Sequence, residues 1–250
     1  MIITMNIETG APEQSADFAA AERPAKQIEI INNDETDVII NHDSPEALWA
    51  YKLADIWKHG QPDDWRPFNP SKGHVTLGEV DGQRFVAKRR IYTAKNENDT
   101  ARIAEKFDRG EKREELAVNS LVSEIRLAPK IREAVSGDEL KDILHYGYSL
   151  PGITYVEPIM GVIDRANADD PRYADKIMIY PYIPDTMALD TEEGLSAAGL
   201  YKYPVEVVVD ELTEQLKNNG VRSNDLHPVQ LLVDPDKNLY LIDTEAYAAE

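Results

Sequence analysis

Asn224-Asp225-Leu226-His227-Pro228-Val229-Gln230-Leu231-Leu232-Val233-Asp234, followed by Leu239-Tyr240-Leu241-Ile242-Asp243, is the stretch whose reading decides the fold. Two apolar runs, Leu231-Leu232-Val233 and Leu239-Tyr240-Leu241-Ile242, flank Asp234-Pro235-Asp236-Lys237-Asn238. The segment between them is made of turn formers: Pro presets φ, and Asp and Asn bond to their own backbone. The pattern predicts a β-hairpin with a polar loop. A hairpin brings its open ends together, so Asp225 and Gln230 ahead of the first strand should meet Asp243 at the end of the second. Oxygen-bearing side chains gathered at one edge suit a hard divalent cation and a hydroxyl nucleophile. The plainer reading is a hairpin capped by ordinary turn residues.

Composition narrows what surrounds that hairpin. A chain of 250 residues, 42% of them hydrophobic, is enough for one large domain or two small ones with a sizeable core. Lys and Arg number 27 against 46 Asp and Glu, a net charge of −19. Such a surface repels nucleic-acid phosphates and anionic membranes, so neither is expected as a partner. There is no cysteine, hence no disulfide framework and no thiol chemistry. No apolar run approaches the ~20 residues of a membrane span, and Met1 to Asn6 lack the basic, then apolar, character of a secretory signal. The cytoplasm is the expected location, with a host cytosol after delivery or infection as the alternative. His42, His59, His74, His145 and His227 show no zinc-ligand spacing. G-x-S-x-G, H-E-x-x-H, Walker A and EF-hand patterns do not occur.

Upstream, residues 1–26 are rich in Ala, Glu, Pro and Ser without a period and read as a disordered tail. Gln27 to Ile31 and Asp37 to Ile40 predict a hairpin. Ser44-Pro45-Glu46 then starts a helix, with Leu48, Trp49, Leu53, Ile56 and Trp57 on its apolar side and Gly60 at its end. These elements make a module over residues 27–64. His74 to Val80 and Gln83 to Lys88 flank Asp81-Gly82, a strong hairpin signal. Residues 100–115 are densely charged and predicted helical. From Glu114 to Ile125, Leu116, Ala117, Leu121 and Ile125 recur at helical spacing. Ile143 to Tyr148, Ile153 to Pro158 and Lys176 to Asp185 read as strands. Thr191 to Gly220 is largely helical with a break at Pro204, and Val205, Val208, Val209, Leu212 and Leu216 share one face.

The order of these parts resembles the protein kinase-like fold. Asp225-Leu226-His227-Pro228-Val229-Gln230, then strand, turn, strand and Asp243, is similar to its catalytic and metal loops. The likeness is closest to the aminoglycoside-phosphotransferase and bacterial atypical-kinase branches, which carry D-x-H-x-x-N. The resemblance implies that Asp225 is the catalytic aspartate, that Gln230 stands at the metal-binding asparagine, and that Asp243 binds magnesium. It gives His227 a structural hydrogen bond. Phe85-Val86-Ala87-Lys88 resembles the V-A-I-K strand, so Lys88 is implied to reach the α- and β-phosphates of ATP. Gly73 in Ser71-Lys72-Gly73 is the candidate for the phosphate-covering turn. The helix from Glu114 is similar to αC, with Glu115 implied as the partner of Lys88 and Glu114 and Glu124 as alternatives. Ala128-Pro129-Lys130-Ile131 resembles the strand start that follows αC. Lys176 to Asp185 resembles the fifth strand and hinge, with adenine on the backbone of Pro181 and Ile183. Three positions depart from the pattern: Gln230 replaces Asn, Ser223 replaces a frequent His, and Asp243-Thr244-Glu245 replaces Asp-Phe-Gly.

The implied fold is α+β: an N-lobe antiparallel sheet with an αC-type helix and hinge over residues 65–183, and a C-lobe over 184–250 bearing the catalytic and metal loops. Only Thr244 to Glu250 follow Asp243, so a truncated C-lobe is expected. The expected function is a minimal kinase using ATP and Mg to phosphorylate a hydroxyl, with Ser or Thr of a protein substrate preferred. A bacterial effector or a phage host-takeover factor would have this build. The alternatives are a pseudokinase, and an acidic protein that binds a host protein through its N-terminal module.

Overall fold

The computed structural model describes residues 27–68, 75–90, 113–136, 153–164, 175–200, 205–223, 226–244 and 247–249. The predicted tail, the turn containing Gly73, the charged segment 100–112, the strand at Ile143 to Tyr148, and Asp225 lie outside them.

Alternation of apolar residues builds the main sheet. β1 (Ile28–Asn32) and β2 (Thr36–Asn41) form the first hairpin, β3 (Arg66–Pro67) is a short edge, and β4 (Val75–Val80) turns into β5 (Gln83–Arg90). The turn between them puts Asp81 at φ 50° and Gly82 at φ 80°, the paired positive angles that match the twist of a two-residue hairpin loop. β6 (Ile153–Tyr155) leaves this sheet, while β7 (Met160–Asp164) and β8 (Asp175–Pro181) complete it. The strand order is β1-β2-β7-β8-β5-β4-β3, antiparallel throughout.

Each face of the sheet has its own helix. Val38, Ile40, Phe85, Ala87, Val162, Ile177 and Ile179 point to one side, where Leu53 and Trp57 of α1 (Ala50–Trp57) cover them. Ile39, Ile163 and Met178 point to the other, against Leu121, Val122 and Ile125 of α2 (Arg113–Ser136). A Cβ on Gly161 would sit 3.0 Å from the Leu121 side chain, so this glycine lets α2 approach β7 closely. Because β2 pairs with β7, the N-terminal module is the edge of the sheet itself.

Two details of sequence reading need correction. The first concerns α1, which is preceded by a 3-10 turn at Ala47–Trp49, with Ser44 Oγ accepting from the Glu46 N–H at 3.3 Å. The buried stripe is Ala50, Leu53, Ala54 and Trp57, and Leu48 is 90% exposed. The 3-10 turn has a different period from the helix, so Leu48 falls outside the apolar face; Ile56 is exposed beside it. The second concerns Pro129, which stands inside α2 and starts no strand. Proline in a helix forfeits one hydrogen bond and costs about 3 kcal/mol. Burial of Ala128, Ile131, Ala134 and Val135 on the same helical period offsets that cost.

The second core gathers β9 (Met187–Ala188), β11 (Leu231–Val233), β12 (Leu239–Leu241) and β6 in the order β6-β12-β11-β9. Against it pack the C-terminal half of α2, α3 (Glu192–Ala198) and α4 (Val205–Asn218). The predicted stripe of α4 buries Val208, Leu212 and Leu216, and Gly220 at φ 71° ends the helix. β10 (Val221–Ser223) pairs with β13 (Tyr247–Ala249). The architecture is α+β, an antiparallel N-terminal sheet with a helix beneath it followed by a smaller mixed layer, as the resemblance implied. α2 runs through both cores. No helix among the described residues is long and apolar enough to cross a membrane.

Candidate active site

The predicted hairpin is β11 and β12, in register Leu231 to Leu241 and Val233 to Leu239. The Asp234 carboxylate closes its loop, accepting from the Asn238 N–H, the Asn238 Nδ2 and the Tyr240 hydroxyl, each at 2.8 Å. The Asn238 side chain, foremost, holds the Asp234 carboxyl below the usual range.

The open end of the hairpin is tied together by one buried side chain. Gln230 Nε2 donates to the Asp243 carbonyl at 2.6 Å, and Gln230 Oε1 accepts from the His227 N–H at 2.7 Å. The Gln230 backbone accepts from Ile242 N–H and donates to the His227 carbonyl, both at 2.9 Å. On the far side of Asp243, the Thr244 hydroxyl shares a 2.8 Å hydrogen bond with the Tyr155 hydroxyl on β6. Burial raises the pKa of that phenol well above its ordinary value, which keeps it protonated. Asp243 itself adopts φ 60°, a left-handed conformation that a non-glycine residue takes at a cost. Asp225 lies outside the described residues; Ser223 sits opposite Tyr247 in the β10–β13 pair, and Leu226 is buried.

Lys88 arrives from the other core. On β5 it stands opposite Val75 on one side and Met178 on the other, on the face that α2 covers. Its ammonium forms an ion pair with Asp243 Oδ2, the two side chains being 23% and 32% exposed. Asp243 Oδ1 is buried and has no hydrogen-bond partner among the described residues. A buried carboxylate oxygen of this kind is chemically suited to accept a hard cation. Among the described residues, no three His, Asp or Glu side chains gather as a ready-made metal cage.

β8 ends on Pro181. The Tyr182 N–H is spent on the Arg84 carbonyl at 3.1 Å, and the Ile183 carbonyl accepts from Thr186 Oγ1 at 3.4 Å. Phe68, which follows β3, lies on the Lys88 face, and its ring is 6.3 Å from that of Tyr182. Gly73 lies outside the described residues.

Two ion pairs were not anticipated from sequence. Glu124 of α2 pairs with Lys176 of β8, with side chains 7% and 1% exposed. Glu114 and Glu115 lie in the first turn of α2, and their side chains are outside the described residues. The available signal was position: Glu124 falls within the stripe Leu121, Val122, Ile125, where a charge must find a partner. Arg132 donates to Glu157 Oε1 at 2.8 Å and to the Asp43 carbonyl at 3.1 Å. Burial raises the Glu157 pKa, with Arg132 opposing the shift.

No protein-family model and no curated protein matches the sequence. Solved structures of the protein kinase-like fold do match. A Toxoplasma gondii rhoptry antigen kinase domain is 17% identical, with 76% of this chain and 48% of that chain covered and a TM-score of 0.35. WaaP in complex with acyl carrier protein is 13% identical, with 85% and 73% covered and a TM-score of 0.42. The Cydia pomonella granulovirus kinase PK-1 is 15% identical, with 80% and 56% covered and a TM-score of 0.39. The chain thus spans about half the length of the rhoptry and granulovirus kinases. Likeness at such identities concerns the fold alone.

Proposed function

We propose that this protein is a phosphotransferase that uses ATP and magnesium to phosphorylate a hydroxyl, with Ser or Thr of a protein as the acceptor. The observation that carries this reading is the Lys88–Asp243 ion pair, which joins two separately built cores and leaves Asp243 Oδ1 buried without a partner. A lysine on a rigid strand is suited to polyphosphate, and a carboxylate with a spare buried oxygen is suited to the accompanying cation. Their mutual pairing keeps both within reach of one ligand.

In this reading Lys88 holds the α- and β-phosphates and Asp243 holds magnesium. The backbone at Pro181 and Ile183 faces adenine, and the Gly73 turn covers the phosphates. Magnesium, when bound, neutralises developing phosphate charge. Asp225 accepts the proton of the acceptor hydroxyl as its oxygen bonds to the γ-phosphorus and the bond to the β-phosphate oxygen breaks. Glu115 steadies Lys88 from α2. Positioning supplies most of the acceleration in such a site. The net charge of −19 favours a basic segment as the protein partner. A second reading, a pseudokinase that binds nucleotide without turnover, is favoured by one observation: the Gln230 atom nearest Asp243 is a nitrogen.

Transfer of labelled γ-phosphate, with magnesium or manganese, separates the two. The proposed activity predicts labelling of the protein or of a basic acceptor, reduced at least about 100-fold in Asp225→Ala and Asp243→Ala. Absent labelling, with a nucleotide-dependent rise in Tm that Lys88→Ala abolishes, identifies the pseudokinase. Neither signal would refute both.

A further inference from the structure

We infer that Gln230 is a positioning residue and not a metal ligand: its amide clamps the His227 N–H to the Asp243 carbonyl, and the cation is left to Asp243 without it. The inference rests on the phosphotransferase reading for its metal, and on hydrogen bonding alone for the clamp.

The sense of the amide is fixed by its neighbours. Oε1 meets an N–H donor at 2.7 Å and Nε2 meets a carbonyl at 2.6 Å. Rotating the amide by half a turn would set oxygen against the Asp243 carbonyl and NH2 against the His227 N–H, losing both bonds and adding two repulsions. The group that Gln230 turns towards Asp243 is therefore a donor, which cannot ligate a cation. With Gln230 only 6% exposed, the amide has no room to turn towards solvent and reverse its role.

Length is what makes glutamine suitable. Asparagine is shorter by one bonded carbon, about 1.5 Å, so it reaches one of the two backbone groups and not both. What the clamp holds is a strained residue. Asp243 at φ 60° is gripped at its carbonyl by Gln230, at the preceding N–H of Ile242 by the Gln230 backbone, and at the following residue by the Thr244–Tyr155 bond. Held this way, the Asp243 carboxylate presents Oδ2 to Lys88 and keeps Oδ1 unpaired. The same amide fixes the His227 backbone, so one side chain ties Asp243 to the segment that enters β11.

The test uses the full chain as wild type, Gln230→Asn and Gln230→Glu. Thermal unfolding is measured without metal or nucleotide, Mn2+ binding by electron paramagnetic resonance, and phosphotransfer across a magnesium titration. The clamp predicts that both variants melt at least about 2 °C lower, since each loses a buried hydrogen bond. Gln230→Asn should lose about 10–100-fold in kcat, and excess magnesium should not restore it. Recovery of Gln230→Asn at high magnesium would overturn the inference, as it marks a ligand. Should wild type bind no Mn2+ and transfer no phosphate, the phosphotransferase reading falls while unfolding still judges the clamp. Unchanged melting in both variants refutes it.

Discussion

At the scale of single residues, the site is governed by a carboxylate whose backbone is strained and whose charge is shared. Asp243 sits at φ 60°, where asparagine is tolerated and other residues are penalised by their Cβ. Asp243→Asn should therefore unfold within about 1 kcal/mol of wild type while losing phosphotransfer, and Asp243→Ala should cost a further 1–2 kcal/mol of backbone strain. Urea melts of the two variants check this; equal stabilities would show that the conformation is not strained. Glu157 offers a pH test. Its folded pKa is raised from 4.5 by burial, so its contribution to stability is full below the unfolded value and is lost as pH rises through the folded value. Glu157→Gln removes that loss, so the Tm difference between variant and wild type should move in favour of the variant as pH rises above about 4.5. A difference independent of pH would place the cost of Glu157 elsewhere. The sequence made Asp243 visible as the end of a hairpin and Lys88 through the likeness of Phe85 to Lys88 to a V-A-I-K strand. Tyr155 and Thr244 left no such trace, because a hydroxyl pair joining β6 to the end of the β12 segment needs the fold before it can be seen.

At the scale of elements, the strands were legible wherever apolar residues alternate or a turn has a fixed chemistry. Asp81-Gly82 and Asp234 to Asn238 named their own hairpins, and the Val208, Leu212, Leu216 stripe named α4. What resisted reading was α2, since Pro129 signals a break that tertiary burial overrides. Its register against the sheet is set by Gly161 under Leu121 and by the Glu124–Lys176 pair. Removing one partner of a buried pair costs about 3–5 kcal/mol, whereas replacing both by apolar groups is often neutral or better. Lys176→Met alone should therefore destabilise strongly, and Lys176→Met with Glu124→Leu should recover most of the loss. A denaturant double-mutant cycle measures the coupling, and a double variant as unstable as the single one would deny that the charge is the cause. Gly78 gives a steric counterpart in β4. A Cβ there would lie 2.1 Å from the Trp65 ring, so Gly78→Ala should cost about 1–3 kcal/mol by overpacking.

At the scale of the whole molecule, the segment 27–64 that the sequence marks out as a module supplies two strands of the main sheet. Individual runs such as Asp37 to Ile40 show that a strand exists, but its partner β7 lies more than a hundred residues away, and long-range pairing has no local signature. The consequence is a sheet covered on both faces, by α2 on the side of Lys88 and by α1 on the other. A chain starting at Trp65 would lose the cover of Leu53 and Trp57 over Phe85, Ala87, Ile177 and Ile179, and the pairing of β2 along β7. Each large apolar side chain withdrawn from such a core costs about 1.5–3 kcal/mol. Val38, Ile40, Leu53 and Trp57 together then match the roughly 5–15 kcal/mol by which a domain of this kind is stable. The bared edge of β7 adds an open template for pairing with other chains. The shortened chain should show no cooperative thermal transition, elute as aggregate in gel filtration, and bind no nucleotide. A monomeric shortened chain whose Tm rises with ATP and magnesium would mean that β4, β5, β7 and β8 with α2 suffice, and that the module serves a partner and not the sheet.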